Sequence, residues 1–514
     1  MLQIAGSVVT EFSQQTARGL QESRDGTLQI GTLNSRARQA AFWSLTTEVT
    51  ARLVTPVTQL ILARILAPQA FGVIATITMI TSFGDMLADS GFQKFLVQRA
   101  TKDNEELDEY ANVAFWSSTT TAVILVGAIA IFRNQLANLA GNPGLGLALL
   151  VASFSLPMTV AVSTQMALFH RRLEYRKILP IRVASALVTL AVAVPLALLG
   201  ADFWALIAGI LSSTLVQAVA FTMVSPWKPR LFYSFKVLRE MFSLSGWSLL
   251  ESLSIWMNGS IAIFIVGRLL NPHDLGLFRQ PMLFVVSMFA VITAATTPVL
   301  FSALSRLQDT TEEFREFFLK FQFHVSLVVL PVGVGAFFFR DFLTTAFFGK
   351  NWSDAALMFG VWGITNGFLI VLSHYCSEIY RALGRPQISL LSQTLYLIIM
   401  IPVLYFAARD GFVTLVIANG LVRIAQVAIN QILTFFVAKI SFIHVLTNIR
   451  GPLISVLTMS IVAAWLAPLT KSSTLWSCAG ILICILVYAS TCLCFPRVRK
   501  FLFSYVPLHR PRRR

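Results

Sequence analysis

Three arginines lie inside, or at the edge of, long apolar stretches of this chain, where a charge is costly unless it has a partner or a purpose. They are Arg52, Arg279 and Arg423. A guanidinium group keeps its charge and can donate two parallel hydrogen bonds to a phosphate. Gln426, Asn419 and Asn430 share a helix face with Arg423 and make this face polar. These residues therefore predict a binding site for an anion within the membrane.

A second polar stripe contains Glu251 and Asn258 and has Trp247 and Trp256 beside it. Aromatic rings next to polar groups suit the faces of sugars. The same tryptophans also have a structural interpretation, as a membrane-interface belt or as helix packing. Both interpretations stay open at the level of the sequence.

Four carboxylates lie in the same apolar stretches and are candidates for binding a coupling proton or cation, or for charge pairing. They are Glu48, Asp85, Asp89 and Glu251. Asp85 and Asp89 are four residues apart and so share one face of a helix. An ionisable group at this depth is a candidate for an ion pathway.

The same charges also have structural explanations. Glu48 and Arg52 are four residues apart and could neutralise each other. Arg279 could extend to lipid headgroups from near the end of its stretch. Asp85 and Asp89 could pair with Arg52 or cap the following turn.

These charges belong to a chain with the composition of a multi-pass membrane protein. Of its 514 residues 56% are hydrophobic and 12% are charged, and the mean hydropathy is +0.72. Stretches long enough to cross about 30 Å of hydrocarbon predict an all-α protein with about fourteen transmembrane helices, because barrel strands would alternate with period two. We place them near 40–63, 70–92, 111–132, 144–168, 179–200, 203–224, 242–270, 278–304, 321–341, 353–376, 388–408, 412–437, 452–468 and 475–495.

Basic residues predict the orientation of these helices. With a cytoplasmic N-terminus, thirty of the forty Lys and Arg residues fall in inside loops and tails and five in outside loops. This bias is the positive-inside signal, and it places both termini in the cytoplasm. The net charge of +16 is explained by these loops facing anionic headgroups, so we predict membrane lipids and no nucleic acid as partners.

The apolar region contains an internal repeat with a spacing of 204 residues. I-L-A-R-I-L-A-P-Q-A-F-G at 61–72 matches I-V-G-R-L-L-N-P-H-D-L-G at 265–276. In both copies a proline ends one helix and a glycine lets the next one begin in close packing. We assign a structural role in this hairpin to Arg64, Pro68, Gly72, Arg268, Pro272 and Gly276. Such a duplication is typical of carriers with two bundles around a shared pathway.

The repeat predicts two pseudo-symmetric six-helix lobes around a central cavity, followed by two extra C-terminal helices. The predicted ranges are a polar tail at 1–39, an N-lobe at 40–224, a basic linker at 225–241, a C-lobe at 242–437, the extra helices at 438–495 and a basic tail at 496–514. The linker mixes aromatic and basic residues in a way that suits a helix lying in the membrane interface.

The hairpin and the segment after it, F-G-D-M-L-A-D-S-G-F-Q-K-F-L-V-Q-R, resemble a known family. They are similar to the Wzx-type, colanic-acid-exporter-like branch of the multidrug/oligosaccharidyl-lipid/polysaccharide (MOP) exporter superfamily, over about 38–495. The resemblance implies transport of an undecaprenyl-pyrophosphate-linked oligosaccharide across the bacterial inner membrane by alternating access. For such a cargo we assign binding of the pyrophosphate and sugars to Arg52, Arg279, Arg423, Gln426 and Asn258, on the chemistry of these residues. Polymerase and export machinery are the expected protein partners.

Two other classes of membrane protein are alternatives. A drug or cation antiporter of the same superfamily would use acidic residues in its lumen, such as Glu48, Asp85 and Glu251. A membrane glycosyltransferase or polymerase would need a large outside loop with catalytic groups, and the outside loops here are short. Because the chain lacks a phosphate-binding loop, H-E-x-x-H and a nucleophile elbow, we predict no enzymatic activity, no cofactor and no metal.

Overall fold

A computed structural model describes residues 56–99, 101, 103–172, 174–470 and 473–499, apart from the side chains of 98, 243–248, 250–251 and 468–470. In this part of the chain the secondary structure is helical throughout. The helices are α1 (Pro56–Ile65), α2 (Pro68–Asp89), α3 (Phe92–Gln98), α4 (Asn104–Leu139), α5 (Gly146–Ser153), α6 (Ser155–Arg171), α7 (Tyr175–Leu198), α8 (Phe203–Val224), α9 (Phe235–Leu269), α10 (Pro272–Arg306), α11 (Thr311–Phe338), α12 (Arg340–Phe348), α13 (Ala356–Leu369), α14 (Cys376–Ala382), α15 (Pro386–Arg409), α16 (Phe412–Ala438), α17 (Phe442–Asn448), α18 (Arg450–Thr470) and α19 (Thr474–Leu493).

Thirteen helical segments in the described residues are long and apolar enough to cross a membrane. They confirm the predicted all-α multi-pass class. The predicted count of fourteen is not reached, because the described part of the first stretch is the short helix Pro56–Ile65. The other predicted spans each overlap one of these helical segments, with ends that differ by up to ten residues, because helix ends are the least reliable part of a sequence prediction.

The helices of each half of the chain pack mainly on one another. In the first half, α7 packs along α8, and α6 packs on α4 and α8. In the second half, α13 packs on α11 and α16, α15 packs on α16, and the hairpin α18–α19 lies against α11. The two halves meet chiefly where α2 crosses α10 and α9.

The largest buried apolar cluster joins the two halves near the start of α2 and α10. It contains Leu62 and Phe71 from the first half and Phe278, Trp352 and Phe359 from the second. Apolar contact therefore holds the halves together at this end of the bundle, which we call the proline end after Pro68 and Pro272.

Prolines explain the main helix breaks. Pro68 and Pro272 occupy the first turn of α2 and α10, where a missing N–H costs nothing. Pro157 separates α5 from α6, because its ring would clash with the carbonyl of Ser153 four residues earlier.

The linker differs from the prediction of an interfacial helix. Residues 225–234 are not helical, and the helix begins only at Phe235, from which it continues into the membrane-spanning part of α9. Pro226 and Pro229 lack the N–H groups that a helix would need. The side chain of Trp227 is buried in a cluster with Phe92 and Phe95, so the linker is attached to the first half of the chain.

Candidate functional site

The first turns of α2 and α10 meet in a reciprocal contact between two glycines. A Cβ atom built on Gly72 would lie 1.8 Å from the carbonyl oxygen of Pro272, and one built on Gly276 would lie 1.9 Å from that of Pro68. No side chain fits at these distances, so only glycine allows the two backbones to approach this closely. The matched glycines of the sequence repeat therefore form one symmetric contact between the two halves.

The loop between α4 and α5 adds a second close contact at the proline end. Gly141 has a positive φ of 82°, and a Cβ there would lie 1.9 Å from the carbonyl oxygen of Gly267 at the end of α9. The next residue, Asn142, is buried and donates from Nδ2 to Oγ1 of Thr76 at 2.8 Å. This loop is therefore fixed between α2 and α9.

The segment between α11 and α13 adds a third contact. Trp352 is fully buried, and its Nε1 donates to the carbonyl oxygen of Ala63 at 2.8 Å. Arg64 donates from Nε to the carbonyl oxygen of Phe347 at 3.3 Å. Arg268, at the matching place in the repeat, is exposed, and its side chain makes no such bond to a described residue. The two arginines are thus equivalent in sequence but not in contacts, and the proline end is closed by three contacts between the halves.

Arg279 lies three residues after Gly276 on α10, about one helical turn inside this closed end. Its side chain is partly exposed, and it has no ion pair or hydrogen bond in the described part of the chain. The neighbouring Gln280 is buried, and its Nε2 donates to Oε1 of Gln59 on α1 at 3.3 Å. Arg279 is therefore a cation without a described partner, next to a polar contact between the halves.

Arg423 lies on α16, inside the second half of the chain. Its Nη1 donates to Oδ1 of Asn366 at 3.1 Å, and the guanidinium lies over the ring of Trp362, 3.5 Å from the ring centroid. Tyr396 on α15 also interacts with its charge. Arg423 is thus surrounded by the second lobe, away from the glycine contact, and the structure does not bring it together with Arg279.

The rest of the predicted polar face of α16 is divided between different environments. Asn430 is buried, donates from Nδ2 to Oγ of Ser373 at 2.8 Å and accepts from Oγ of Ser392 at 2.9 Å. Its backbone carbonyl accepts from the hydroxyl of Tyr380 at 3.0 Å. Gln426 is partly exposed and has no side-chain hydrogen bond among the described residues. Asn430 is therefore a structural residue, whereas Gln426 stays a ligand-binding prediction.

A π-helical turn at Ile370–His374 joins α13 to α14. Two backbone carbonyl oxygens in this turn accept hydrogen bonds from glutamine side chains on other helices. Gln322 on α11 donates from Nε2 to the carbonyl oxygen of Val371 at 2.8 Å, and Gln431 on α16 donates to that of Leu372. Both glutamines are buried. The sequence analysis missed them, because the π turn creates their acceptors and has no pattern of its own in the sequence.

The predicted stripe on α9 contacts both halves of the chain. Asn258 donates from Nδ2 to Oε1 of Gln393 on α15 at 3.3 Å. Trp256 donates from Nε1 to Oγ of Ser82 on α2 at 3.1 Å, and its ring centroid lies 4.7 Å from that of Phe83. In this conformation Trp256 packs between α9 and α2, in agreement with the interpretation that it is a helix-packing residue.

Asp85 and Asp89 lie partly buried on α2, at the end opposite to Pro68. Asp85 is within hydrogen-bonding reach of Thr159 on α6 and interacts with Asp89, and no cation contacts it in the described residues. Asp89 accepts from the backbone N–H of Gln93 at 3.4 Å and interacts with Lys94. Asp89 therefore caps α3, whereas Asp85 is the uncompensated carboxylate of the pair.

Three predicted residues cannot be located in this way. Glu48 and Arg52 lie outside the described residues, as does the side chain of Glu251. Their assignments stay predictions, including the proposed pairing of Glu48 with Arg52.

Comparison with known proteins agrees with this architecture. Residues 61–357 match a family described as polysaccharide biosynthesis protein. The succinoglycan biosynthesis transport protein ExoT of Rhizobium meliloti is 25% identical over 65% of this chain and 67% of its own length. The lipopolysaccharide biosynthesis protein WzxC of Escherichia coli K12 is 23% identical over 79% of this chain and 81% of its own length.

Solved structures show the same fold at low sequence identity. The lipid II flippase MurJ in an inward closed conformation superposes with a TM-score of 0.69 at 14% identity, covering 90% of this chain and all of that chain. An inward-facing multidrug transporter of the MATE family has a TM-score of 0.56 at 15% identity, covering 77% of this chain and all of that chain. With its repeated hairpin, its helical fold and a family match over more than half its length, this chain belongs to the polysaccharide biosynthesis protein family.

Proposed function

We propose that this protein carries a lipid-linked oligosaccharide across the bacterial inner membrane, from the cytoplasmic to the outer face, for assembly of a surface polysaccharide. The cargo is an oligosaccharide joined through pyrophosphate to undecaprenol. The protein acts by alternating access and catalyses no reaction. Its relatives with transporter names support the coarse function, and the physical argument for the cargo rests on Arg279.

The position of Arg279 is the main structural support for this proposal. A cation without a described partner, about one turn inside a closed end, is costly unless an anion comes to it. A pyrophosphate supplies such an anion, and its oxygens match the fork of a guanidinium. In the proposed cycle the headgroup reaches Arg279 while the proline end is closed, and it leaves after that end has opened.

The orientation proposed from the basic loops puts the proline end on the outer side, with both termini in the cytoplasm. The conformation described here is then closed on the outer side, opposite to the cytoplasmic face from which the cargo is proposed to come. The three contacts at the proline end support this assignment, because all three must break before cargo can leave on the outer side. Polymerase and export machinery would receive the cargo there, and surrounding lipids would hold the basic loops.

Transport by the purified protein tests the proposal. The full chain is reconstituted in liposomes together with a fluorescent undecaprenyl-pyrophosphate-linked sugar, and a membrane-impermeant quencher reports on the outer leaflet. We expect probe to cross only in liposomes that contain the protein, and Arg279→Gln to cross at a rate at least ~10-fold lower, equivalent to about 1.4 kcal/mol. Arg268→Gln is the matched control, because the exposed side chain of this arginine, in the matching hairpin, makes no hydrogen bond or ion pair with a described residue.

The alternative is a multidrug or cation antiporter of the same superfamily, and Asp85 is the observation in its favour. Such a protein would move a cationic dye in the same liposomes and would not move the lipid-linked sugar. Dye transport that depends on Asp85 but not on Arg279 would replace the proposal with this alternative.

A further inference from the structure

Four buried or enclosed N–H donors on two facing helices have no acceptor among the residues that the structure describes. They are Nε1 of Trp362, Nδ2 of Asn366, Nδ2 of Asn419 and Nε of Arg423. Donors in this state are shielded from bulk water, and leaving them without any acceptor is costly. We propose that these four groups form a binding site for a small anion inside the second lobe.

The geometry brings the donors to one place. Trp362 and Asn366 are one turn apart on α13, and Asn419 and Arg423 are one turn apart on α16, so each pair lies on one face of its helix. The helices cross between the pairs, at Gly420, where a Cβ would lie 2.7 Å from Cγ1 of Val361. The missing side chain at Gly420 lets the four donors approach one another.

The charge of the site is uncompensated. Arg423 makes no ion pair with any described residue, and its bonds to protein go to the neutral amide of Asn366 and the ring of Trp362. Tyr396, the third neighbour, brings a hydroxyl, not a carboxylate. A permanent cation with three further donors, and with no acidic group beside it in the described part of the chain, is complementary to an anion and unsuited to a metal ion.

Burial limits the size of the ligand. Trp362, Asn366 and Asn419 are 6%, 7% and 2% exposed, so a ligand that reaches them can be no larger than an ion or one terminal group, which excludes a sugar chain. Arg423 is partly exposed and provides the way in. The ligand class is therefore a halide or a single phosphate group, and the phosphate could be free or could belong to the pyrophosphate of a lipid.

Substitutions that keep the shape of the site test the proposal. In Asn366→Asp a carboxylate replaces the amide whose oxygen accepts from Arg423 in the wild type. The charge of this carboxylate would take the place of the proposed bound anion. Trp362→Phe removes the indole N–H and keeps an aromatic ring under the guanidinium. Arg340→Gln is the control, because Arg340 also stacks on an aromatic ring, that of Phe337, but lies outside the site.

Thermal unfolding of the full chain in nanodiscs is measured while sodium gluconate is exchanged for chloride or phosphate at constant ionic strength. For wild type and Arg340→Gln we expect Tm to rise with the anion by several °C and then saturate, as for a ligand that binds only the folded state. Asn366→Asp should lose this dependence, and Trp362→Phe should need several-fold more anion for the same shift. If Asn366→Asp does not fold, the Trp362→Phe titration alone decides.

A separate series with undecaprenyl pyrophosphate identifies the source of the anion. A response to chloride or phosphate supports a free-ion site, and a response to the lipid alone supports a site for its headgroup. If Tm of the wild type is insensitive to all three probes, buried water satisfies the donors and the proposal is wrong. This result would not contradict the transport proposal, because that proposal is tested by the transport rate of Arg279→Gln in liposomes and not by anion binding at Arg423.

Discussion

Gly72 and Gly276 occupy matching places in the two halves of the chain, and each touches the backbone of the other's hairpin. The amide nitrogen of Gly276 lies 3.0 Å from the position that a Cβ of Gly72 would take, and Gly72 is placed in the same way relative to Gly276, at 3.2 Å. The duplication in the sequence has thus become a two-fold contact in space. The two halves therefore touch backbone to backbone here, and this contact must break if the proline end is to open.

Gly72→Ala should prevent the proline end from closing. The added methyl would lie 1.8 Å from the carbonyl oxygen of Pro272, so the helices must move apart by more than about 1 Å to reach normal contact. With Gln59 and Gln280 replaced by cysteines in a background without the native five, we expect disulfide formation to fall several-fold in the Ala variant.

Export should fall with it, because a carrier that cannot close one end cannot complete its cycle. Gly127→Ala is the control, since nothing lies within 4 Å of a Cβ at that exposed position. Unchanged cross-linking in both variants would show that the glycine contact is not needed for closure.

The charge of Arg279 should matter more than its shape. In a strain that lacks the chromosomal gene, Arg279→Gln should reduce polymer output to about a tenth or less, because a charge-assisted hydrogen bond contributes about 1.5–3 kcal/mol. Arg279→Lys should retain more, since it keeps the charge but loses the fork. Lipid-linked repeat units should accumulate in the Gln variant, and full output from that variant would remove Arg279 from the cargo site.

Asp85 and Asp89 should behave differently when each is changed to Asn. Asp85 has no described cation beside it, so we expect it to bind a coupling proton or cation and Asp85→Asn to slow transport in liposomes by about tenfold or more when an ion gradient drives it. Asp89→Asn should stay close to wild type, because an amide oxygen can still accept from the N–H of Gln93. Equal, full activity of the two variants would leave Asp85 with a structural role only.

Asn430 should be important for stability and not for specificity. Asn430→Ala leaves Ser373 and Ser392 without their partner, and we expect a loss of about 2–4 kcal/mol, as for an interrupted buried network. Thermal unfolding in nanodiscs measures this loss. The exposed Asn138→Ala should change stability by less than about 0.5 kcal/mol. A similar shift in both variants would contradict the role of Asn430 as a hub.

The hydropathy and the repeat determined the membrane class, the approximate helix positions and the hairpin residues of this protein. This is because a segment long enough to cross hydrocarbon must satisfy its own backbone, so a helix follows from composition alone. Proline and glycine act on the local backbone, which explains why Pro68, Gly72 and their counterparts could be assigned from their types and order. Pro226 and Pro229 carried the same local information about the linker, against the amphipathic pattern that favoured a helix.

Only the tertiary structure decided what each polar side chain meets. Arg64 and Arg268 match in the repeat, yet of the two only Arg64 has a carbonyl acceptor among the described residues, because the segment near Phe347 that supplies it packs against Arg64. Trp362 and Arg423 lie on different helices and carry no common pattern. Their contact depends on how α13 crosses α16, and helix crossing is set by the packing of whole faces. A single sequence defines those faces but does not state which of them meet.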